Sequence, residues 1–80
     1  MFYTYILRSL KDNYYYYGST SDLNERLAVH NKGKVRATKS RIPWQIHYYE
    51  TYTTRKEAVQ RELFLKSRTG YRWLKSNNII

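Results

Sequence analysis

At 80 residues the chain is the size of one small domain with little stability to spare, and without cysteine it has neither a disulfide framework nor a thiolate metal site. Apolar residues make up 41% of it, but ten of them are tyrosines, and no window approaches the ~18–20 apolar residues that span a bilayer. Fifteen Lys and Arg against six Asp and Glu give a net charge of +9. Such a field favours a polyanionic partner, nucleic acid first and an anionic membrane surface second; a merely soluble cationic protein is the plain alternative. No basic region precedes a hydrophobic stretch at the N-terminus, so no cleaved signal peptide is expected and the expected setting is cytoplasmic.

In chain order, Phe2–Ser9 is rich in aromatic and β-branched residues and predicts a strand. Lys11-Asp12-Asn13 predicts a turn, since Asp12 and Asn13 can bond back to their own backbone. A second strand is expected over Tyr14–Ser19, close enough to pair with the first as a hairpin. Alternation puts Tyr14 and Tyr16 on one face and Tyr15 and Tyr17 on the other. The period then changes. Asp22-Leu23-Asn24-Glu25 fits a capping box, and Leu23, Leu27 and His30 recur at helical spacing up to a stop before Gly33.

Lys32 to Arg41 holds five basic residues, no acidic one and little apolar content, which reads as a mobile loop. Beyond Pro43, Trp44–Tyr52 predicts a third strand. Thr54-Arg55-Lys56-Glu57 opens a helix reaching about Ser67, with Ala58, Val59, Leu63 and Leu65 on its apolar side. Thr69-Gly70 is expected to break it before a short last helix, Tyr71–Ser76, carrying Trp73 and Leu74. The order β-β-α-β-α-α describes an α/β domain of the α+β kind, residues 1–80 as one unit, whose helices cover the apolar face of the sheet.

Glu62 stands out in the later helix. It lies four residues after Ala58 and three before Leu65, so it borders the apolar stripe. A carboxylate held there needs a cation, a metal or hydrogen bonds. The plainer readings are that its stem packs while its head reaches water, or that it pairs with a nearby arginine. Arg26 and His30 are an i,i+4 pair on the first helix, with Asn31 beside them. Arginine offers a phosphate two parallel donors, and histidine exchanges protons near neutral pH. A lone histidine at a helix end is equally an ordinary surface or capping residue. His30 and His47 have no zinc spacing. Lys32, Lys34, Arg36, Lys39 and Arg41 form either a phosphate-contacting run, which sets affinity and position without reading sequence, or a solvated basic loop. Tyrosine and tryptophan stack on unpaired bases as readily as they fill a core.

The same residues carry a resemblance. Over essentially its whole length the chain resembles the GIY-YIG nuclease superfamily, especially the small stand-alone bacterial members similar to the N-terminal nuclease domain of the excision-repair endonuclease. The first signature segment falls on Tyr3-Thr4-Tyr5, where the tyrosine is kept. The second falls on Tyr16-Tyr17-Gly18, with Tyr17 at the aliphatic position. Ser19 to Leu27 looks like the stretch leading to the family's helix arginine, here Arg26, and His30 and Asn31 match its helix-end positions. Glu57-Ala58-Val59-Gln60-Arg61-Glu62 looks like the family's second helix and puts the metal-binding glutamate on Glu62. Asn77 and Asn78 lie where some members contribute an asparagine.

The resemblance implies a central three-stranded antiparallel sheet flanked by helices. It also implies cleavage of DNA phosphodiester bonds with one divalent ion, normally Mg²⁺, for which Mn²⁺ substitutes. On that basis Tyr5 is the preferred general base, with nearby positive charge stabilising its phenolate, and Tyr16 orients the water or shares that role. Arg26 holds a non-bridging phosphate oxygen, His30 braces the phosphate or Tyr5, Glu62 holds the metal, and Gly18 permits close approach. Little sequence preference is expected, since these residues include no separate recognition domain and the basic loop supplies phosphate contacts. Branched, nicked and single-stranded DNA stay open as substrates, RNA ranks behind DNA, a homodimer is open, and the likeness to the excision-repair enzyme suggests DNA repair. Two rival expectations remain: a nucleic-acid-binding module of the same fold without useful catalysis, and a structural domain that binds other proteins.

Overall fold

The computed structural model describes residues 1–80 as β1 (Phe2–Ser9), β2 (Tyr15–Thr20), α1 (Leu23–Asn31), β3 (Trp44–Tyr52), α2 (Arg55–Lys66) and α3 (Arg68–Ser76). The order is the β-β-α-β-α-α read from the sequence. β1 is the middle strand of a three-stranded sheet and runs antiparallel to both β2 and β3. Its place follows from its composition: Thr4, Tyr5, Ile6 and Leu7 are all buried, so both of its faces need cover. No helix is long and apolar enough to cross a membrane.

The sheet separates two small cores. On one face Tyr5 and Leu7 pack with Trp44 beneath Leu23 and Leu27 of α1. On the other, Ile6 packs with Leu65 of α2 and Leu74 of α3. The alternation read in the tyrosine run holds, with Tyr16 joining the first core and Tyr15 and Tyr17 the second. Tyr14 lies outside the strand. Its amide bonds the Asp12 carboxylate at 3.1 Å within the turn, and its exposed ring lies 4.0 Å beneath the Arg41 guanidinium carbon.

Both long helices start where expected. Thr54 and Glu57 complete a reciprocal capping box at α2. At α1 only half of one forms: Asp22 accepts from the Glu25 amide at 3.0 Å, while its own amide goes to Thr20 Oγ1 at 3.2 Å. α2 is tied to the sheet by the Thr4 hydroxyl, which donates to the Ala58 carbonyl at 2.7 Å.

Three local expectations need correction. Thr69-Gly70 does not break a helix but lies inside α3, and the break falls at Ser67, whose hydroxyl caps α3 by accepting from the Gly70 amide at 3.1 Å. Glycine is required at 70 because a Cβ there would stand 1.9 Å from the Phe64 carbonyl oxygen. Val59 and Leu63 are exposed, and the buried residues of α2 are Ala58 and Leu65. Arg61 occupies the partly buried space beside them, donating to Glu50 at 2.8 Å from Nε and lying 4.5 Å from the Trp73 ring centroid. Tyr48 and Tyr52 donate to the same carboxylate. Burial and that carboxylate push both phenols up to about 12. Glu50 itself is held below the usual carboxylate range: burial would raise it, but Arg61 and the two phenols outweigh that. Finally, the basic segment is anchored. Thr38 is buried, its carbonyl accepts from Trp44 Nε1 at 2.9 Å, and Lys39–Arg41 form a 3₁₀ turn.

The close approach of α2 and α3 is testable. Gly70→Ala forces Cβ into the α2 carboxyl end and is expected to cost about 3 kcal/mol, as overpacking does. In so small a domain that lowers Tm by at least about 10 °C in a thermal circular-dichroism scan. An unchanged Tm would contradict the packing described.

Candidate active site

Tyr5 and Gly18 are partners across β1 and β2. The missing side chain at 18 lets the Tyr5 ring cross over β2, since a Cβ there would stand 2.4 Å from the phenol oxygen. Tyr5 is 2% exposed, so its hydroxyl requires a partner within the protein. It meets His30 Nε2 at 3.1 Å. His30 sits in the last turn of α1, fully buried, with Nδ1 2.8 Å from Thr38 Oγ1.

The donors along this chain can be assigned. The Thr38 hydroxyl has two partners, the Val35 carbonyl at 3.3 Å and His30 Nδ1 at 2.8 Å, and we assign its hydrogen to the carbonyl, which can only accept. Its oxygen is then free to accept from His30 Nδ1–H. Nδ1 carries the ring proton, Nε2 presents a lone pair, and Tyr5 donates to it. The tautomer is thus assigned from the hydrogen-bond network.

Electrostatics agree with a neutral ring. Burial, and then the charge of Arg26, lower the His30 pKa to about 4. Burial raises the Tyr5 phenol; Arg26 opposes this, while Tyr16 and Glu62 add to it. The sequence-based expectation that positive charge would favour a resident phenolate is therefore outweighed by desolvation. Tyr16 lies on the same side, its ring centroid 5.0 Å from that of His30 and 6.3 Å from that of Trp44. Arg26 is half-buried beside a cleft of about 200 Å³, which it lines with Thr20, Ser21, Asp22, Glu25 and Val29.

Glu62 comes from α2, on the other side of the sheet from α1. α2 packs along β2 as well as β1, and the Glu62 carboxylate is near enough to Tyr5 to act on its ionisation. It is 18% exposed and accepts from Lys66 Nζ at 2.7 Å. Tyr5 thus stands among Tyr16, Arg26, His30 and Glu62, each of which bonds it or acts on its ionisation. A larger depression of about 490 Å³, lined in part by Tyr3 and Tyr49, contains none of these five. No group of three or more His, Cys, Asp or Glu side chains is gathered anywhere, so Glu62 belongs to no such cluster.

Other candidates take different roles. Lys32, Lys34, Arg36 and Lys39 are exposed along the basic segment, whereas Arg41 pairs with Asp12 and covers Tyr14. Asn31 fastens α1 to β3, donating to the Trp44 carbonyl at 2.9 Å and accepting from its amide at 2.7 Å. Asn77 caps the end of α3, and Asn78 follows it with a φ of 56°. Thr38 is the residue that sequence reasoning missed. A threonine among lysines and arginines carries no signal of burial, and only contact with His30 reveals its part.

A family model described as the GIY-YIG catalytic domain matches residues 1–76. The chain belongs to the GIY-YIG family. This is a family of nucleases, whose substrates are nucleic acids. A UPF0213 protein of Staphylococcus epidermidis is 40% identical over 74 residues, covering 91% of this chain and 89% of the relative. One from Bacillus licheniformis is 40% identical over 65 residues, covering 80% of this chain and 66% of the relative. The chain thus spans slightly less than two thirds of that relative's length. The solution NMR structure of a UPF0213 protein from Bacillus halodurans is 32% identical, with a TM-score of 0.53 over 95% of this GIY-YIG chain and 84% of that one.

Burial of a neutral His30 has a consequence for stability. Its pKa of about 4 in the fold lies below the ordinary value of 6.5, so the unfolded chain binds the extra proton between those limits. The contribution is complete above pH ~6.5 and is lost as pH falls towards ~4. Urea unfolding at pH 7, 6 and 5 is expected to show falling stability, with a flatter dependence in His30→Gln. Asp12 and Glu50, whose carboxyls are held low, lose their contributions mainly below pH ~5, the lowest pH of this series. Equal pH dependence in the two proteins would contradict the assignment.

Proposed function

We propose that the protein is a divalent-metal-dependent endonuclease that hydrolyses DNA phosphodiester bonds with little sequence preference. The observation that carries this reading is the arrangement at the β2 edge: a buried Tyr5 that donates to a neutral His30, with Arg26 and Glu62 beside it. The site is an open edge with a shallow cleft, as a polymer substrate requires.

Glu62 would hold the ion. A partly exposed carboxylate outside any larger ligand cluster suits Mg²⁺, which is commonly bound through one or two carboxylates, retained waters and the phosphates of its substrate. When bound, the ion supplies charge compensation on the scissile phosphate and at the leaving oxygen. Arg26 holds a non-bridging oxygen through its planar fork. Tyr5 takes a proton from the attacking water as its own proton passes to His30 Nε2, leaving His30 cationic with Nδ1–H on Thr38. Two causes hold His30 neutral in the free protein, burial and Arg26, and a phosphate on Arg26 offsets the second. Tyr16, against His30, orients the water. Lys32, Lys34, Arg36 and Lys39 contact the DNA backbone. DNA repair in the cytoplasm is the setting that the sequence reading favours for this activity.

One observation favours the rival reading of a DNA-binding module without useful catalysis. Lys66 already neutralises Glu62, and an ion must displace it.

The two readings separate in one experiment with supercoiled, nicked, branched and single-stranded DNA, incubated with Mg²⁺, Mn²⁺ or EDTA. Cleavage is expected only with metal. Glu62→Gln and Tyr5→Phe are expected to lose it while still binding DNA, and Arg26→Ala to lose about 10²–10³-fold. Gly18→Ala is expected to lose about 10²-fold, because it displaces the Tyr5 hydroxyl. Equal cleavage by all variants, or metal-independent cleavage, would contradict the proposal. DNA binding by the folded parent protein without any cleavage would establish the module instead.

A further inference from the structure

The outer face of α3 breaks the rules of a helix stabilised by itself. Arg68, Tyr71, Arg72 and Lys75 are exposed on one side, opposite buried Gly70 and Leu74. Arg68 and Arg72 are like charges at i,i+4, and Arg72 and Lys75 at i,i+3, both unfavourable spacings. Arg68 also stands in the first turn, where the helix dipole disfavours a cation. No acidic residue offsets them: Lys66 to Ile80 contains none, and the ion pairs of the protein are Arg41–Asp12, Arg61–Glu50 and Lys66–Glu62. Arg68 and Arg72 weaken their own helix, and neither they nor Lys75, which suits the last turn, has an acidic partner, so all three are open to an external anion.

Their place in the fold gives them a function. α3 covers the Ile6 side of the sheet, whereas the Lys32–Lys39 cations are held on the Trp44 side through Thr38. The sheet that carries Tyr5 lies between these two basic surfaces, with Arg26 on the α1 side and Glu62 on the α2 side. Tyr71 reaches towards β2, close enough to Tyr17 of that strand to help raise its phenol pKa, and Lys75 lies 5.7 Å from the Tyr71 ring centroid.

We infer that Arg68, Arg72 and Lys75 form a second DNA-backbone contact surface, which holds the substrate across the β2 edge from the Lys32–Lys39 segment. The inference rests on the reading of the protein as a DNA nuclease. It deepens that reading by giving the substrate two points of support, one on each side of the cut. A duplex carries one charge per ~1.7 Å of its axis, so one laid along the 29 Å longest dimension of the molecule presents on the order of 17 phosphate charges to it.

The test measures binding of a labelled DNA duplex by fluorescence anisotropy in EDTA, between 50 and 200 mM salt, so that cleavage plays no part. Arg68→Gln/Arg72→Gln/Lys75→Gln is expected to bind about 10–100-fold more weakly at 100 mM salt. The slope of log affinity against log salt should shrink by roughly 2–3, near 0.9 for each phosphate that the variant no longer neutralises. With the repulsion along α3 removed, its Tm should equal or exceed that of the parent. The charge-preserving Arg68→Lys/Arg72→Lys variant is expected to keep both affinity and slope. Lys34→Gln/Arg36→Gln/Lys39→Gln should weaken binding independently. Parent-like affinity and slope in the α3 Gln variant, with DNA binding intact in the parent, would overturn this inference alone. A parent that binds no DNA would overturn the nuclease reading with it, and a parent that instead binds anionic vesicles through α3 would assign the surface to membranes.

Discussion

A phenol buried on the central strand has to satisfy its hydroxyl, and much of this structure is arranged around the answer. Tyr5 is nearly inaccessible to solvent, and leaving its oxygen without a partner would cost on the order of 1–3 kcal/mol. His30 meets it from the end of α1, so the length of that helix and its seat on β3 through Asn31 fix where the imidazole stands. Thr38 and Trp44 then fix the other side of the ring. Gly18 clears the path across β2. Two linked hydrogen bonds, Tyr5–His30 and His30–Thr38, thus join the middle strand, the first helix and the basic segment, with Gly18 of β2 packed against the phenol.

The Tyr5–His30 contact decides the chemistry available. A phenol raised by burial does not persist as phenolate near neutral pH, so a basic Tyr5 needs somewhere to send its proton. The neutral imidazole is that place. Arg26 influences both groups in the direction expected of a cation, opposing the rise at Tyr5 and deepening the fall at His30. In the proposed reaction, a phosphate on Arg26 would therefore alter the proton balance of the pair as it binds. Glu62 approaches from the opposite layer, which lets a thin sheet place a carboxylate and two phenols around one edge.

Periodicity and capping made the element order legible. Thr54 and Glu57 announce α2, Asp22 announces α1, and the tyrosine run sorts by alternation into two cores. The spacing of Arg26 to His30 and the position of Glu62 beside Ala58 and Leu65 were enough to single out those side chains. What was not legible depended on contacts between distant segments. Gly70 looks like a helix breaker until α2 is laid against it. Val59 and Leu63 look like core until Arg61, held by Glu50, takes the inner position. Nothing local to Arg41 shows that it also pairs with Asp12, 29 residues before it. Thr38 looks like part of a solvated loop, because nothing local shows that a buried histidine needs its oxygen.

The proton position in His30 governs both the fold around Tyr5 and the chemistry proposed for it, and long-range ¹H–¹⁵N NMR of the imidazole reads it directly at neutral pH. The expected spectrum has Nδ1 protonated and Nε2 bare, the tautomer in which Thr38 accepts and Tyr5 donates. A proton on Nε2, or an imidazolium at pH 7, would contradict it, because Tyr5 could then no longer hand its proton to that ring.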